Sequence, residues 1–280
     1  MVVKEYKSNA YPELTRILNF HPVVNNNPRK LTIDQITKYN ELGYLSKIDI
    51  FTKEEAESIK INFDSLSQKA KAKGHNSYAI NGWHNTLPML YKIISDSRIS
   101  DVMQDLLGEN LICWASHFFC KEPYSKETVA WHQDISYWPM SESKTITVWL
   151  AIDDVDESNA SMKVIPKSHL HGQINFNKSE ESEKNVLDQS INNPEDYGSS
   201  PVSINLKAGQ IEVHSDLLIH GSGANNSNKR RTGLTMRFIQ PEVIPFNGWG
   251  GSSILTRGVN TYQHWKIIEP PTVEYIPDRK

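Results

Sequence analysis

The chain has 280 residues, 30 of them basic and 33 acidic, giving a formal net charge of −3. That balance leaves no electrostatic footprint for nucleic acid, and no Lys/Arg cluster is interleaved with aromatics. The length suffices for one substantial core, so a single domain over residues 1–280 is expected, and no apolar stretch approaches the roughly 18 residues of a membrane span. The opening residues, MVVKEYKSNAYPEL, lack a signal peptide's apolar segment. A cytoplasmic protein is therefore expected, a monomer or weak homo-oligomer with neither nucleic-acid nor membrane partners.

Residues 1–30 carry Pro12, Pro22, Pro28 and an Asn25-Asn26-Asn27 run, and read as an irregular arm. Thr32 is a plausible N-cap for a helix reaching Leu42, stopped at Gly43. Thr52-Lys53-Glu54-Glu55 fits a capping box and opens a longer helix through Lys71, with Ile59, Phe63 and Leu66 at helical spacing. The segment 87–107 predicts a pair of helices ended by Gly108. From Leu111 the pattern changes to short apolar or alternating runs at 111–120, 128–133, 145–155, 202–206, 211–214 and 231–240. Helices followed by many strands predict an α+β domain with a double-sheet jelly-roll core. The polar stretch 173–201, with SEESEK and NNPED, reads as a surface insertion and candidate lid. Cys113 and Cys120 are the only cysteines, and strand parity puts them on opposite faces, so two reduced thiols are expected.

The most informative segment is Trp131-His132-Gln133-Asp134. In an extended strand His132 and Asp134 project from one face, while Gln133 points outward. With His220, before Gly221-Ser222-Gly223, they form a 2-His-1-carboxylate set that holds Fe(II) and leaves positions open. Neither cysteine belongs to this trio, which argues against a closed structural zinc site. Arg231, a rigid guanidinium fork further along, suits a dicarboxylate that chelates the metal.

At these residues the chain resembles the phytanoyl-CoA dioxygenase family of Fe(II)- and 2-oxoglutarate-dependent oxygenases. The matching stretches are 131–140 (WHQDISYWPM), 148–162 (VWLAIDDVDESNASM), 164–169 (VIPKSH), 220–238 (HGSGANNSNKRRTGLTMRF) and the N-terminal 31–48, nearly the whole chain. The resemblance implies a double-stranded β-helix (cupin-like) core with the N-terminal helices packed on one sheet. It implies Fe(II) on His132, Asp134 and His220, with 2-oxoglutarate, O₂ and, in vitro, ascorbate as reductant. Arg231 would bind the distal carboxylate of 2-oxoglutarate, with Ser222 donating its hydroxyl. Trp149 matches a tryptophan near the cosubstrate, though a core anchor reads equally well. His117 occupies a strand position from which the family contacts the cosubstrate. Near Asn81 the family carries a lysine toward the cosubstrate, a departure that leaves the role of Asn81 open. The implied activity is oxidation of an unactivated C–H bond of a small polar metabolite, with succinate and CO₂ as co-products. Halogenating relatives have a small residue in place of Asp134, so halogenation is not expected here. Oxidative cyclisation or desaturation of an amino-acid-derived metabolite, similar to kainoid-forming oxygenases, is the alternative within the class. A metal-binding cupin without oxygenase activity is the alternative outside it.

Substrate contacts are expected from Arg237, which shares strand parity with Arg231, and from Lys121, which shares a face with His117 but could also be solvated. Arg237 could instead pair with a structural acid. Tyr137 and Trp138 read as an aromatic wall or as core. Gly248-Trp249-Gly250-Gly251 and Arg257 read as a segment that closes over the site. His169, His171, His214 and His264 read as surface or packing histidines, and Arg230 as an outward, solvated neighbour of Arg231.

Overall fold

Helix-forming signals take effect first along the chain. In a computed structural model that describes residues 10–76, 78, 80–179 and 184–279, α1 (Ile33–Leu42) opens on a capping box between Thr32 and Gln35. It ends at Gly43, whose φ of 85° is the left-handed conformation that glycine tolerates. A second capping box, Thr52 with Glu55, starts α2 (Lys53–Ala72). Then α3 (Pro88–Ile94) and α4 (Ser97–Leu107) follow, the latter capped by Asp96 and ended at Gly108.

A strand the periodicity did not predict, β1 (Tyr44–Asp49), lies between α1 and α2. Its alternation is masked by a register shift between Leu45 and Ile48 and by Lys47 at a φ of 60°. The remaining strands are β2 (Leu111–Lys121), β3 (Val129–His132), β4 (Ile146–Ala151), β5 (Lys163–Val164), β6 (Asn177–Lys178), β7 (Gln189–Ser190), β8 (Val202–Ser203), β9 (Gln210–Ser215), β10 (His220–Ser222), β11 (Arg231–Ile239) and β12 (Ile254–Arg257).

They form a six-stranded sheet in the order β1-β9-β4-β11-β2-β12, a four-stranded sheet β3-β10-β5-β8 and the pair β6-β7. One face of the large sheet presents Phe118, Val148, Val213, Leu234, Met236 and Phe238 to the helices, packing against Phe63, Leu66, Ile94, Ile99 and Met103. Its other face and the small sheet together enclose a cavity. This is the double-stranded β-helix, with the N-terminal helices on one sheet.

The pairing of β2 with β11 overturns the cysteine parity. Arg237 pairs with Ala115 but Phe238 with Cys113, so Trp114 is an extra residue in β2. The bulge reverses the alternation, and Cys113 and Cys120 both join the helix-facing core as free thiols. Burial raises their pKa values to about 12 and about 11 respectively.

The arm lies against the segment that follows β3. Arg16 is buried and donates to the carbonyls of Trp138 (2.6 Å) and Ile135 (3.4 Å), and the Tyr11 hydroxyl donates to the carbonyl of Tyr137 at 2.7 Å. Of the insertion, 180–183 lie outside the described residues; the rest is tied to β3, with Asn185 accepting from Ala130 N–H and Ile191 N–H donating to the Trp131 carbonyl. Arg230 is not merely solvated. It bridges Asp64 (2.5 Å) and Asp153 (2.9 Å), above the ring of Phe63. Arg257 likewise does not reach the cavity, but pairs with Asp101 of α4 at 2.6 Å. Trp249 packs on Trp114 outside the cavity, so this segment does not close over the site.

Candidate active site

His132 ends β3 and His220 begins β10, paired directly across the small sheet. Asp134 is not in the strand. It is the first residue of a 3-10 turn, Asp134–Tyr137, and the turn swings its carboxylate back toward the two imidazoles. Gln133 does point away from them, yet into the protein: its amide donates to the carbonyls of Gly172 and Leu217 and accepts from Ile174 N–H.

The three side chains are buried, with one ligand atom from each within 4.8 Å of the others. Asp134 Oδ1 lies 3.6 Å from His132 Nε2 and 3.8 Å from His220 Nε2. Each Nδ1 faces a backbone carbonyl, Ala130 at 2.9 Å and Leu218 at 3.0 Å. Those bonds commit the proton to Nδ1 and leave both Nε2 lone pairs converging on one point, a donor set that fits a metal ion. Burial, with His132 and His214 nearby, holds His220 well below the usual imidazole range, so it is neutral as a ligand must be. Burial alone would raise the Asp134 carboxyl, but His132, His214, His220 and Arg237 outweigh it and hold it well below the ordinary value.

A small cavity of about 50 Å³ opens from this point, lined among others by Phe119, Thr147, Trp149, Leu187, Ser222, Arg231, Thr235 and Arg237. Arg231 is buried; its Nε donates to the Ala160 carbonyl and its Nη2 to Ser222 Oγ, each at 3.0 Å. No carboxylate among the described residues pairs with it, so a buried cation stands ready for an anionic ligand. Trp149 lies 5.6 Å from the Arg231 guanidinium, its ring across Gly233, where even a Cβ would come within 1.9 Å of the indole. Trp149 thus lines the cavity and anchors the sheet at once.

Several expected contacts lie elsewhere. His117 is outside the cavity lining, its Nε2 donating to the Tyr78 carbonyl at 2.7 Å, and burial lowers its pKa to about 4. Asn81 is exposed and bridges to the His117 backbone. Lys121 is neither solvated nor in the cavity. It is fully buried and donates to the carbonyls of Gly223 (2.5 Å) and Ser222 (3.4 Å). Burial and the neighbouring Arg231 lower its pKa to about 6. Tyr137 accepts from Gln189 N–H at 3.1 Å and so ties the turn to β7. Trp138 sits in the core against Trp114, beneath the Arg237 guanidinium at 5.2 Å.

His214 is the residue that sequence reasoning misplaced. It lines the cavity beside His220, with its Nδ1 2.8 Å from Glu212 and its Nε2 3.7 Å from Asp134 Oδ2. Burial opposes its charging, yet the carboxylates of Glu212 and Asp134 raise its pKa to about 10. The available signal was two ionisable residues alternating within a strand buried on both faces.

The phytanoyl-CoA dioxygenase family model matches residues 39–233, and the chain belongs to that family. It is an Fe(II)- and 2-oxoglutarate-dependent dioxygenase, with O₂ as co-reactant. A probable alpha-ketoglutarate-dependent hypophosphite dioxygenase of Stutzerimonas stutzeri is 24% identical over 269 residues, covering 86% of this chain and 92% of its own. The ectoine dioxygenase of Bordetella bronchiseptica is 21% identical over 266 residues, covering 86% and 85%. A solved non-heme monooxygenase, ThoJ in its apo form, is similar with a TM-score of 0.72 at 26% identity, over 85% of this chain and 88% of that one. No helix among the described residues is long and apolar enough to cross a membrane.

Proposed function

We propose that the protein hydroxylates an unactivated C–H bond of a small polar metabolite bearing an anionic group, releasing succinate and CO₂. The observation that carries this reading is Arg237. Its guanidinium lines the cavity, its Nε has no hydrogen-bond partner, and no carboxylate among the described residues pairs with it. Its charge acts on Asp134, but it forms no direct ion pair with that carboxylate, which supports an anion supplied from outside. Arg231 and Arg237 are six residues apart on β11, roughly 20 Å of strand. A small dicarboxylate whose distal group is held by Arg231 leaves Arg237 for another anion. The relative named for hypophosphite, itself a small anion, supports that choice.

In this scheme His132, Asp134 and His220 hold iron. Bound iron would activate O₂ and couple decarboxylation of 2-oxoglutarate to C–H oxidation. Arg231 and Ser222 hold the distal carboxylate, and Trp149 fixes the guanidinium. Arg237 orients the substrate, while Leu187, from the 173–201 insertion, covers the cavity and excludes water.

The test is succinate release, with iron and ascorbate, across a panel of small carboxylates, phosphonates and neutral metabolites. An anionic substrate should gain one oxygen atom by mass, whereas loss of two hydrogens would indicate cyclisation or desaturation instead. Arg237→Lys should weaken substrate use while uncoupled 2-oxoglutarate turnover and folding persist. Preference for neutral compounds, or loss of stability with substrate use unchanged, would remove Arg237 from the substrate site.

A further inference from the structure

Three cavity-facing side chains stand in one row across the large sheet. Arg237 of β11 pairs with Thr147 of β4, and Thr147 pairs with His214 of β9. Strands lie about 4.8 Å apart, so the row presents neighbouring polar groups to whatever docks over its centre. What docks there is Asp134, carried by the turn from the opposite sheet. Its Oδ2 accepts from Thr147 Oγ1 at 2.8 Å and lies 3.7 Å from His214 Nε2. Its Oδ1 is left facing His132 and His220.

We propose that Thr147 and His214, the latter clamped by Glu212, are positioning residues that fix the outer oxygen of Asp134 and so dictate how its inner oxygen meets the metal. The inference rests on the reading of His132, Asp134 and His220 as an iron site. Asp134 needs such support because it leaves the strand at Gln133 and stands on a short turn, where no ladder of its own holds the side chain. Glu212 supplies the rigidity. It is fully buried, and its two oxygens lie 2.8 and 3.1 Å from His214 Nδ1, which sets the ring plane. His214 Nε2 has no hydrogen-bond partner of its own, so the ring is spent on Glu212 at one end and aimed at Asp134 at the other. A histidine that merely filled space in β9 would not need a buried carboxylate behind it, since an unpaired acid there would be costly. Supporting groups of this kind around ligating residues typically change metal affinity roughly 10–100-fold when removed.

The experiment is anaerobic Fe(II) titration in the presence of saturating 2-oxoglutarate, followed by visible absorption, with melting temperature measured alongside. His214→Phe and Thr147→Val should each weaken Fe(II) binding roughly 10–100-fold. Thr147→Val should keep a melting temperature near that of the wild type, while His214→Phe should lower it, because it leaves the buried Glu212 unpaired. Thr147→Ser, which keeps the hydroxyl, should restore affinity. Wild-type affinity in both His214→Phe and Thr147→Val would overturn the proposal, as would a Thr147→Ser variant as impaired as Thr147→Val. Should His214→Phe fail to fold, the Thr147 pair decides alone. Failure of the wild type itself to bind Fe(II) would instead sink the iron site beneath the proposal, an outcome visible before any variant is made.

Discussion

Arg230 and Arg231 are adjacent in the chain and differ in everything else. Alternation sends Arg231 into the cavity, where its partners among the described residues are Ala160, Ser222 and the face of Trp149. It sends Arg230 to the helix side, onto Asp64 and Asp153. Arg231→Leu should therefore raise the 2-oxoglutarate requirement by roughly 2–5 kcal/mol, the cost of leaving a buried carboxylate unpaired. Arg230→Leu should leave cosubstrate titrations unchanged and lower stability by about 1 kcal/mol, since its pairs are partly exposed. Equal effects of the two changes on cosubstrate titration would refute the assignment by parity. At this scale the sequence was legible wherever a residue's position followed from spacing, as for His132, His220 and Arg231, which all face the cavity. It was illegible where the role depends on a partner from a distant strand. Nothing near His214 announces Asp134, and nothing near Lys121 announces the carbonyls of Ser222 and Gly223.

Two elements carry consequences of their own. In β2 the extra residue Trp114 turns both cysteines toward the helices. Thiol titration should find neither reactive in the native protein and both after unfolding; a thiol that reacts natively would contradict the bulge. At the end of the same strand Lys121 is buried with a pKa near 6, against an ordinary value of about 10.4 when unfolded. The folded state is thus the weaker proton binder between those values. The burden that Lys121 places on stability is fullest below about pH 6 and disappears as pH rises toward about 10. Lys121→Met should accordingly show its greatest stability relative to wild type in mildly acidic solution, with the difference narrowing by about pH 10. Denaturant melts across that range check this, and a difference that grew with pH would overturn it. Such a bulge and such a burial are set by the pairing of β2 with β11 and β12, which no local pattern reveals.

For the whole molecule, the order of elements and their chemistry were largely legible. Capping boxes at Thr32 and Thr52, the glycine stops at Gly43 and Gly108, and the later alternating runs are local signals with local causes. The strand β1 escaped because its bulge breaks the alternation. The 3-10 turn at Asp134 escaped because a histidine and an aspartate two residues apart fit a continuous strand equally well. What closes the site is long-range: the arm's Arg16 holding the carbonyls beneath that turn, and the row on β11, β4 and β9 behind it. We infer that these distant pieces converge into one site that chelates iron together with a keto acid. The most direct test is the anaerobic visible spectrum on adding Fe(II) and 2-oxoglutarate. A weak charge-transfer band should appear only with both present, and His132→Ala and Asp134→Ala should each abolish it, because two protein ligands cannot define the same open face. A wild-type band, or full turnover, in either variant would contradict the claim.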